Sequence, residues 1–267
     1  MRYGYLYEAS LEVPFDQRKR KVYVWLPRGY SFQGKKKHPV MYMADGQNMV
    51  DKYLTAFGDW HLDRVIEHLR MQGYEAPILV GIACPRNWKK REQELNPPYP
   101  TESLIDKTQI PDGMADCFLS YIVDSLKPLI DSLFHTKTSK ESTAIGGSSM
   151  GGIMAFYGFL SHPETFGFSL SYSVPFFFYK EGTWKRILEE FAPSSEKNGR
   201  LSLYVGGKDY ERMFVKGTFF MEKLLKKEYG FDKKSLEFVY DPQAKHNEED
   251  WSRHSHHSFR FWLEKEE

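Results

Sequence analysis

Short apolar segments alternate with longer amphipathic segments along most of this chain of 267 residues. Residues 39–43, 77–83 and 201–205 have the length of buried strands, whereas residues 60–71 and 218–229 carry apolar side chains at helical spacing. This alternation is typical of a parallel sheet with helices on both faces, because each helix returns the chain to the start of the next strand. It predicts an α/β fold with a mainly parallel central sheet of about eight strands.

The first strands follow a different pattern. Residues 10–13 and 20–26 are joined by a short turn, and polar and apolar residues alternate in the second segment. Such a pair is typical of antiparallel strands at the edge of a sheet, where one face meets water. Because neither an internal repeat nor a Gly/Ser linker divides the sequence, we interpret residues 1–267 as one domain.

One connection in the chain is unusually long. Residues 85–112 are rich in proline and charge and show no clear periodicity. Long connections in compact domains are usually lids or binding loops, so we expect a functional loop here. The helix predicted after it, at residues 114–133, contains Pro128, which predicts a kink.

The balance of charge argues against several classes of protein. The 37 basic and 36 acidic side chains give a net charge of +1, which leaves no global field for binding nucleic acid. The longest apolar runs are far shorter than the roughly 18 residues of a membrane span. The first residues lack the apolar core of a signal peptide, so a cytoplasmic protein is the default expectation. Cys84 and Cys117 are too few for a disulfide framework, and we predict that both are buried and reduced.

A motif for nucleophilic chemistry lies in the middle of the chain. The sequence Gly-Ser-Ser-Met-Gly at residues 147–151 matches G-x-S-x-G between a predicted strand and a predicted helix. Glycines let the backbone make the sharp turn that exposes Ser149, and the N–H of Met150 can face a developing oxyanion. The alternative is a plain turn. A phosphate-binding Walker loop is excluded, because no Gly-Lys-[Ser/Thr] follows.

A serine nucleophile needs a base and an acid, and both follow in the chain. Asp209 comes directly after a predicted strand, where it can orient an imidazole, and Glu211 is a close competitor for the same role. His246 follows the last predicted strand and is placed to reach Ser149. The histidine-rich run at residues 254–257 resembles a metal site, but only two of its histidines have helical ligand spacing, so we predict no metal.

Three segments together point to a protein family. The sequences Tyr-Met-Ala-Asp-Gly-Gln-Asn at residues 42–48 and His-Asn-Glu-Glu-Asp-Trp at 246–251 accompany the motif at 147–151. They resemble an esterase family of the α/β-hydrolase superfamily that includes esterase D, feruloyl esterases, siderophore esterases and mycolyltransferases. The resemblance extends over about residues 21–263 and implies the α/β-hydrolase fold. One difference is Ala44, where relatives often have histidine.

The resemblance also implies roles for individual residues. Ser149 corresponds to the family's nucleophile, Asp209 to its acid and His246 to its base. The loop at residues 45–48 corresponds to the segment whose backbone supplies an oxyanion donor. Oxyanion or substrate-binding roles are therefore expected for four residues, namely Gly46, Gln47, Ser148 and Met150.

These assignments predict a serine esterase that works through an acyl-enzyme intermediate and needs no metal or organic cofactor. Its substrate would be a small-molecule ester of a sugar, an aromatic acid, or a small thiol or alcohol. The sequence does not decide between a monomer and a homo-oligomer. Two alternatives remain. The same acyl-enzyme could pass its acyl group to an alcohol, or the fold could serve as a non-catalytic binding protein.

Two regions are candidates for the substrate pocket. The loop at residues 85–112 and the aromatic run at 174–179 both follow predicted strands, and α/β sheets bind ligands at the carboxyl ends of their strands. For the aromatic run, packing in the core is an equal alternative. Arg86 and the basic residues near it would favour anionic substrates if they face the pocket, and otherwise form a solvated surface.

Overall fold

The structure, a computed structural model, describes residues 3–15, 18–55, 58–102, 109–110, 112–191 and 199–266. Its core is a sheet of eight strands in the order β1-β2-β4-β3-β7-β8-β9-β10. Two further strands, β5 and β6, pair with each other outside this sheet. The strands are β1 Gly4–Val13, β2 Arg18–Pro27, β3 Val40–Ala44, β4 Ile78–Ile82, β5 Thr101–Glu102, β6 Gln109–Ile110, β7 Thr143–Ser148, β8 Phe168–Tyr172, β9 Arg200–Gly206 and β10 Leu236–Asp241.

The direction of the strands confirms the predicted fold class. β1 pairs with β2 and β2 with β4 in antiparallel fashion, whereas all other neighbours in the main sheet are parallel. The predicted antiparallel edge is therefore present at the amino terminus. Because the carboxyl ends of the parallel strands share one edge, the loops that follow β3, β4, β7 and β9 meet there.

Helices cover both faces of the sheet. They are α1 Leu62–Met71, α2 Trp88–Leu95, α3 Ala115–Ser120, α4 Lys127–Leu133, α5 Met150–Ser161, α6 Glu181–Phe191, α7 Arg212–Glu228 and α8 Glu248–Trp262. A wider π-helical segment, Tyr121–Leu126, joins α3 to α4 just before Pro128. Proline lacks an N–H and clashes with the preceding turn, which accounts for the irregularity predicted there. Within the described ranges, every helix falls short of the length and apolarity required to cross a lipid bilayer.

The sheet separates two apolar cores. On β3, Tyr42 and Ala44 pack into one cluster, while Met41 and Met43 pack into the other. Side chains on a strand alternate between faces, so a strand buried on both sides reads as a continuous apolar run. This arrangement explains why the parallel strands were recognisable from the sequence.

The long connection at residues 85–112 contains a helix that the sequence analysis did not predict. Helix α2 begins after Asn87, whose side chain accepts a hydrogen bond from the N–H of Lys90 at 3.1 Å. Its buried residues are largely charged, and Arg20 on β2 forms a buried two-pronged ion pair with Glu94 at 2.8 Å. A helix whose buried face is made of ion-paired side chains has no apolar periodicity, so the sequence pattern did not predict α2. The expectation that both cysteines are buried was also wrong, because Cys117 is exposed and Cys84 is only half-buried.

Candidate active site

Ser149 sits on a strained turn between β7 and α5. Its backbone has φ 54° and ψ −122°, a conformation that few residues other than glycine adopt. A Cβ atom at Gly147 would lie 2.5 Å from the carbonyl carbon of Gly151, and one at Gly152 would lie 2.7 Å from the carbonyl oxygen of Tyr172. The glycines of the motif are thus required by close backbone approach, and the strain holds Ser149 at the carboxyl edge of the sheet.

His246 is paired with Glu211. The Nδ1 atom of His246 is in hydrogen-bond contact with Oε2 of Glu211, and the Glu211 side chain is fully buried. The other carboxylate oxygen, Oε1, accepts hydrogen bonds from the N–H of Gly206 at 3.0 Å and from the hydroxyl of Ser173. Burying a carboxylate is costly unless hydrogen bonds stabilise it, and Glu211 receives them on both oxygens.

Asp209 does not contact His246. Its side chain is 61% exposed and forms a surface ion pair with Lys245 at 3.2 Å. After β9 the chain enters a tight turn at Asp209–Glu211, with Asp209 in the left-handed region at φ 54°. That turn directs the first carboxylate outward, while the second, two residues later, lies beneath the end of β9. The structure therefore places the competitor, Glu211, and not Asp209, against His246.

Aromatic rings fix the orientation of the His246 imidazole. Phe214 stacks on it with ring centroids 4.6 Å apart, and Trp251 meets it edge-on at 5.0 Å. The indole N–H of Trp251 donates to the hydroxyl of Ser173 at 2.8 Å, and that hydroxyl also contacts Glu211. Ser173 was not identified from the sequence. Its backbone is left-handed, at φ 48°, and no local sequence pattern predicts this conformation.

The loop after β3 lies beside Ser149. Asp45 has a left-handed backbone, and the turn Gly46–Asn48 follows it. Gly46 packs so closely on β4 that a Cβ atom there would lie 2.2 Å from the carbonyl carbon of Gly81. The Gln47 side chain is held by Cys84, with its amide 3.2 Å from the Cys84 Sγ and its carbonyl accepting from the Cys84 N–H at 3.1 Å.

An ion pair connects this loop to helix α2. The Arg91 guanidinium donates to both carboxylate oxygens of Asp45, at 2.8 and 2.6 Å. Burial acts to raise the pKa of Asp45, but the charge of Arg91 and the hydrogen bonds from Arg91, Cys84 and Gln47 together outweigh it and hold that pKa below its ordinary value. Asp45 is therefore ionised at neutral pH. Nearby, burial raises the pKa of the Cys84 thiol to about 12, so Cys84 is a neutral neighbour.

Ser149 and His246 line one cleft of about 1250 Å³. Gln47 and Ser148 line it as well, whereas Gly46 is buried under the loop and Met150 begins α5 with a buried side chain. The first N–H groups of a helix have no intrahelical partner, so the Met150 N–H is available to an oxyanion.

The two candidate pocket regions have different outcomes. Trp88 and Arg91, from the connection at residues 85–112, line the cleft. The aromatic run at 174–179 does not contribute to its walls. Phe176 instead packs edge-on against Phe156 at 5.2 Å and against Trp184, also at 5.2 Å, in the core. Phe176 is thus part of the core, which was the alternative to a place in the substrate pocket.

The histidine-rich run near the carboxyl terminus is engaged in packing. The Nε2 atom of His254 is 2.9 Å from Oδ2 of Asp241, and its ring stacks on Tyr204 at 4.7 Å. Among the described residues, no three or more His, Cys, Asp or Glu side chains lie together in a way that could hold a metal ion.

Comparison with known proteins places the chain in a protein family. Residues 15–262 match the protein family described as "Putative esterase". The chain belongs to this family. A curated relative, the uncharacterized protein YbbA of Bacillus subtilis (strain 168), is 28% identical over 152 residues. That match covers 55% of this chain and 54% of YbbA, so the chain matches about half the length of this relative.

Solved structures show the same fold at low sequence identity. An IroE-like serine hydrolase from Shewanella oneidensis superimposes with a TM-score of 0.72 at 20% identity, covering 96% of this chain and 79% of that one. A ferulic acid esterase superimposes with a TM-score of 0.67 at 15% identity, covering 98% of each chain. These likenesses agree with the α/β-hydrolase fold of the eight-stranded sheet.

Proposed function

We propose that the protein hydrolyses carboxylic esters with Ser149 as the nucleophile, His246 as the general base and Glu211 as the acid that orients the imidazole. One observation carries the assignment. The buried Glu211 carboxylate holds Nδ1 of His246, which leaves Nε2 for the cleft that Ser149 also lines. Such a contact is what the acid and base of a nucleophile–base–acid triad require, because the acid fixes the tautomer and stabilises the imidazolium.

In the first step, the Ser149 oxygen attacks the ester carbonyl while Nε2 of His246 takes its proton. The carbonyl oxygen becomes an oxyanion, for which the backbone N–H groups of Met150 and Gln47 are the proposed donors. His246 then gives the proton to the leaving alcohol as the carbon–oxygen bond breaks. The acyl group remains on Ser149 as an ester.

In the second step, water attacks the acyl-enzyme. His246 takes a proton from the water, a second tetrahedral oxyanion forms at the same donors, and the bond to Ser149 breaks. The proton returns to the serine oxygen and the carboxylic acid is released. Each of the proton transfers uses the same Nε2 atom, so the orientation set by Glu211 serves both halves of the reaction.

The form of the cleft supports a substrate larger than an acetyl ester. Its volume of about 1250 Å³ is well above what a two-carbon acyl group fills, and it is walled partly by Trp88, whose ring stacks with Arg91 at 4.7 Å. An ester with an aromatic or sugar portion suits these walls. The same acyl-enzyme would also serve acyl transfer if an alcohol replaced water.

The test is hydrolysis of p-nitrophenyl butyrate, methyl ferulate and S-formylglutathione by the wild type and by Ser149→Ala. We expect Ser149→Ala to lower kcat by about 10³-fold or more, and to abolish labelling by a fluorophosphonate probe. Ser161→Ala, at the far end of the same helix, is the matched control and should retain both. Added alcohols, with product analysis, separate hydrolysis from transfer. Normal turnover by a folded Ser149→Ala protein would refute the assignment.

A further inference from the structure

One wall of the cleft is strongly basic. Seven of the lining residues are lysine or arginine, four of them consecutive at residues 18–21 on β2 and three on the segment around α2, whereas Asp45 and Glu248 are the acidic ones. The whole chain has a net charge of only +1. The basic residues are therefore concentrated at this cleft, and the wall does not simply reflect a basic protein.

Two of these cations are already neutralised. Arg20 is paired with Glu94, and Arg91 is paired with Asp45, both through buried two-pronged contacts. These pairs attach α2 to the sheet. They leave the other basic side chains to face the cleft.

Of the five remaining cations, Lys90 lies on α2, and the other four form what we call the basic strip, consisting of Arg18, Lys19, Lys21 and Arg86. Within the described part of the chain, neither Arg18 nor Arg86 has an acidic partner. Lys21 meets Glu8 at 2.7 Å, but both side chains are largely exposed, and such surface pairs exchange readily with other ions. The Glu8 hydrogen bond raises the pKa of Lys21, and the charge of Arg86 acts against that rise.

The strand order gives the separation between the basic strip and Ser149 across the sheet. The N–H of Ala83, after β4, donates to the carbonyl of Lys21 at 3.0 Å, so the strip flanks the carboxyl end of β4. In the strand order, β2 is separated from β7 by β4 and β3. Neighbouring strands lie about 4.8 Å apart, so the β2 backbone, which carries three of the four strip residues, lies roughly 14 Å across the sheet from β7, the strand that leads into Ser149.

Resting on the esterase function proposed above, we infer that the basic strip binds a carboxylate or phosphate group of the substrate, and that the preferred substrate is an ester with this anion roughly 14 Å from the scissile carbonyl. Guanidinium groups match the two oxygens of such anions, and like charges held together at a cleft gain most from a bound counter-charge. A small anionic ester would not span the distance.

The experiment compares a long anionic ester with matched neutral and short ones. The probes are p-nitrophenyl hydrogen dodecanedioate, its methyl-capped neutral ester, and p-nitrophenyl hydrogen succinate. We expect kcat/KM to favour the long anion over its neutral counterpart by about tenfold at low salt, and the preference to shrink at 0.5 M NaCl, because exposed charges are screened. The succinate half-ester should gain nothing over a neutral short ester. A fourth probe, butyrate esterified to a long ω-hydroxy acid, shows whether the anion belongs to the acyl or the alcohol side.

Two double variants test whether the preference for the anion arises from the basic strip. Arg18→Gln/Arg86→Gln should lower the anion preference by about five- to tenfold. Lys223→Gln/Lys227→Gln removes two positive charges from the exposed face of α7 and should leave the preference unchanged. Equal loss in both double variants would mean that only overall charge matters, and it would overturn the inference.

The outcomes separate the two proposals. Ser149-dependent hydrolysis of the neutral esters without any preference for the long anion would refute the strip as a binding site and leave the esterase function standing. Absence of Ser149-dependent hydrolysis of every probe would refute the esterase function, and the inference with it.

Discussion

Two carboxylates two residues apart were candidates for the partner of His246, and the backbone between them decides which one makes the contact. Asp209 has a left-handed backbone and faces solvent beside Lys245, whereas Glu211 lies fully buried against His246. Both candidates are carboxylates that follow the same strand. The hydrogen bonds from Gly206 and Ser173 exist only once β8, β9 and the turn have come together.

This choice is testable with a matched pair of isosteric changes. Glu211→Gln keeps the shape of the side chain but removes the charge and presents the wrong hydrogen-bonding group to His246. We expect it to lower kcat by about 10³- to 10⁴-fold, whereas Asp209→Asn should stay within about threefold of wild type. Steady-state kinetics on p-nitrophenyl butyrate measure both. A large loss in Asp209→Asn with little loss in Glu211→Gln would reverse the assignment.

At the scale of elements, the strand–turn–helix unit around Ser149 depends on the absence of side chains. The carbonyl carbon of Gly151 occupies the space where a Cβ atom at Gly147 would stand. Helix α2, in contrast, depends on its side chains. Most of its buried residues are charged, so apolar periodicity does not predict it.

Two glycine substitutions test the turn. Gly147→Ala forces a Cβ atom to within 2.5 Å of backbone and should lower the free energy of unfolding by about 3 kcal/mol, with loss of activity. Gly182→Ala, in α6, meets no atom within 4 Å and should raise it by about 0.5 kcal/mol. Urea unfolding followed by tryptophan fluorescence gives both values. Equal stability of the two variants would show that the turn is less constrained than its contacts indicate.

At the scale of the whole molecule, some titrating groups serve stability rather than the site. His38 precedes β3, is buried, and has its Nδ1 atom 2.8 Å from the carbonyl oxygen of Ala76. Burial lowers its pKa, and the positive charge of Lys36 adds to this, against opposing effects of the Ala76 hydrogen bond, Glu266 and Glu75. The neutral imidazole is thus the form that the fold accommodates.

Lowered pKa values of this kind predict how stability depends on pH. The unfolded chain binds a proton at His38 near its ordinary pKa of about 6.5, whereas the folded chain does so only at lower pH. The free energy of unfolding should therefore fall as pH drops from 7.5 to 5.5. His38→Asn keeps a donor for Ala76 and cannot titrate, so its stability should fall less over this range. Urea titrations at both pH values measure the difference, and parallel losses in the two proteins would contradict it.

Residue patterns along the chain were enough to predict the fold class, the antiparallel edge, the sharp turn at Ser149 and the position of His246 after the last strand. Those features arise from local rules: side chains alternate on a strand, repeat on a helix, and give way to glycine where backbones touch. The partner of His246, the charged helix α2 and the concentration of cations at one wall of the cleft depended on the tertiary structure. Each of them joins residues distant in sequence, through turn handedness, buried ion pairs or strand order, which only the assembled sheet determines.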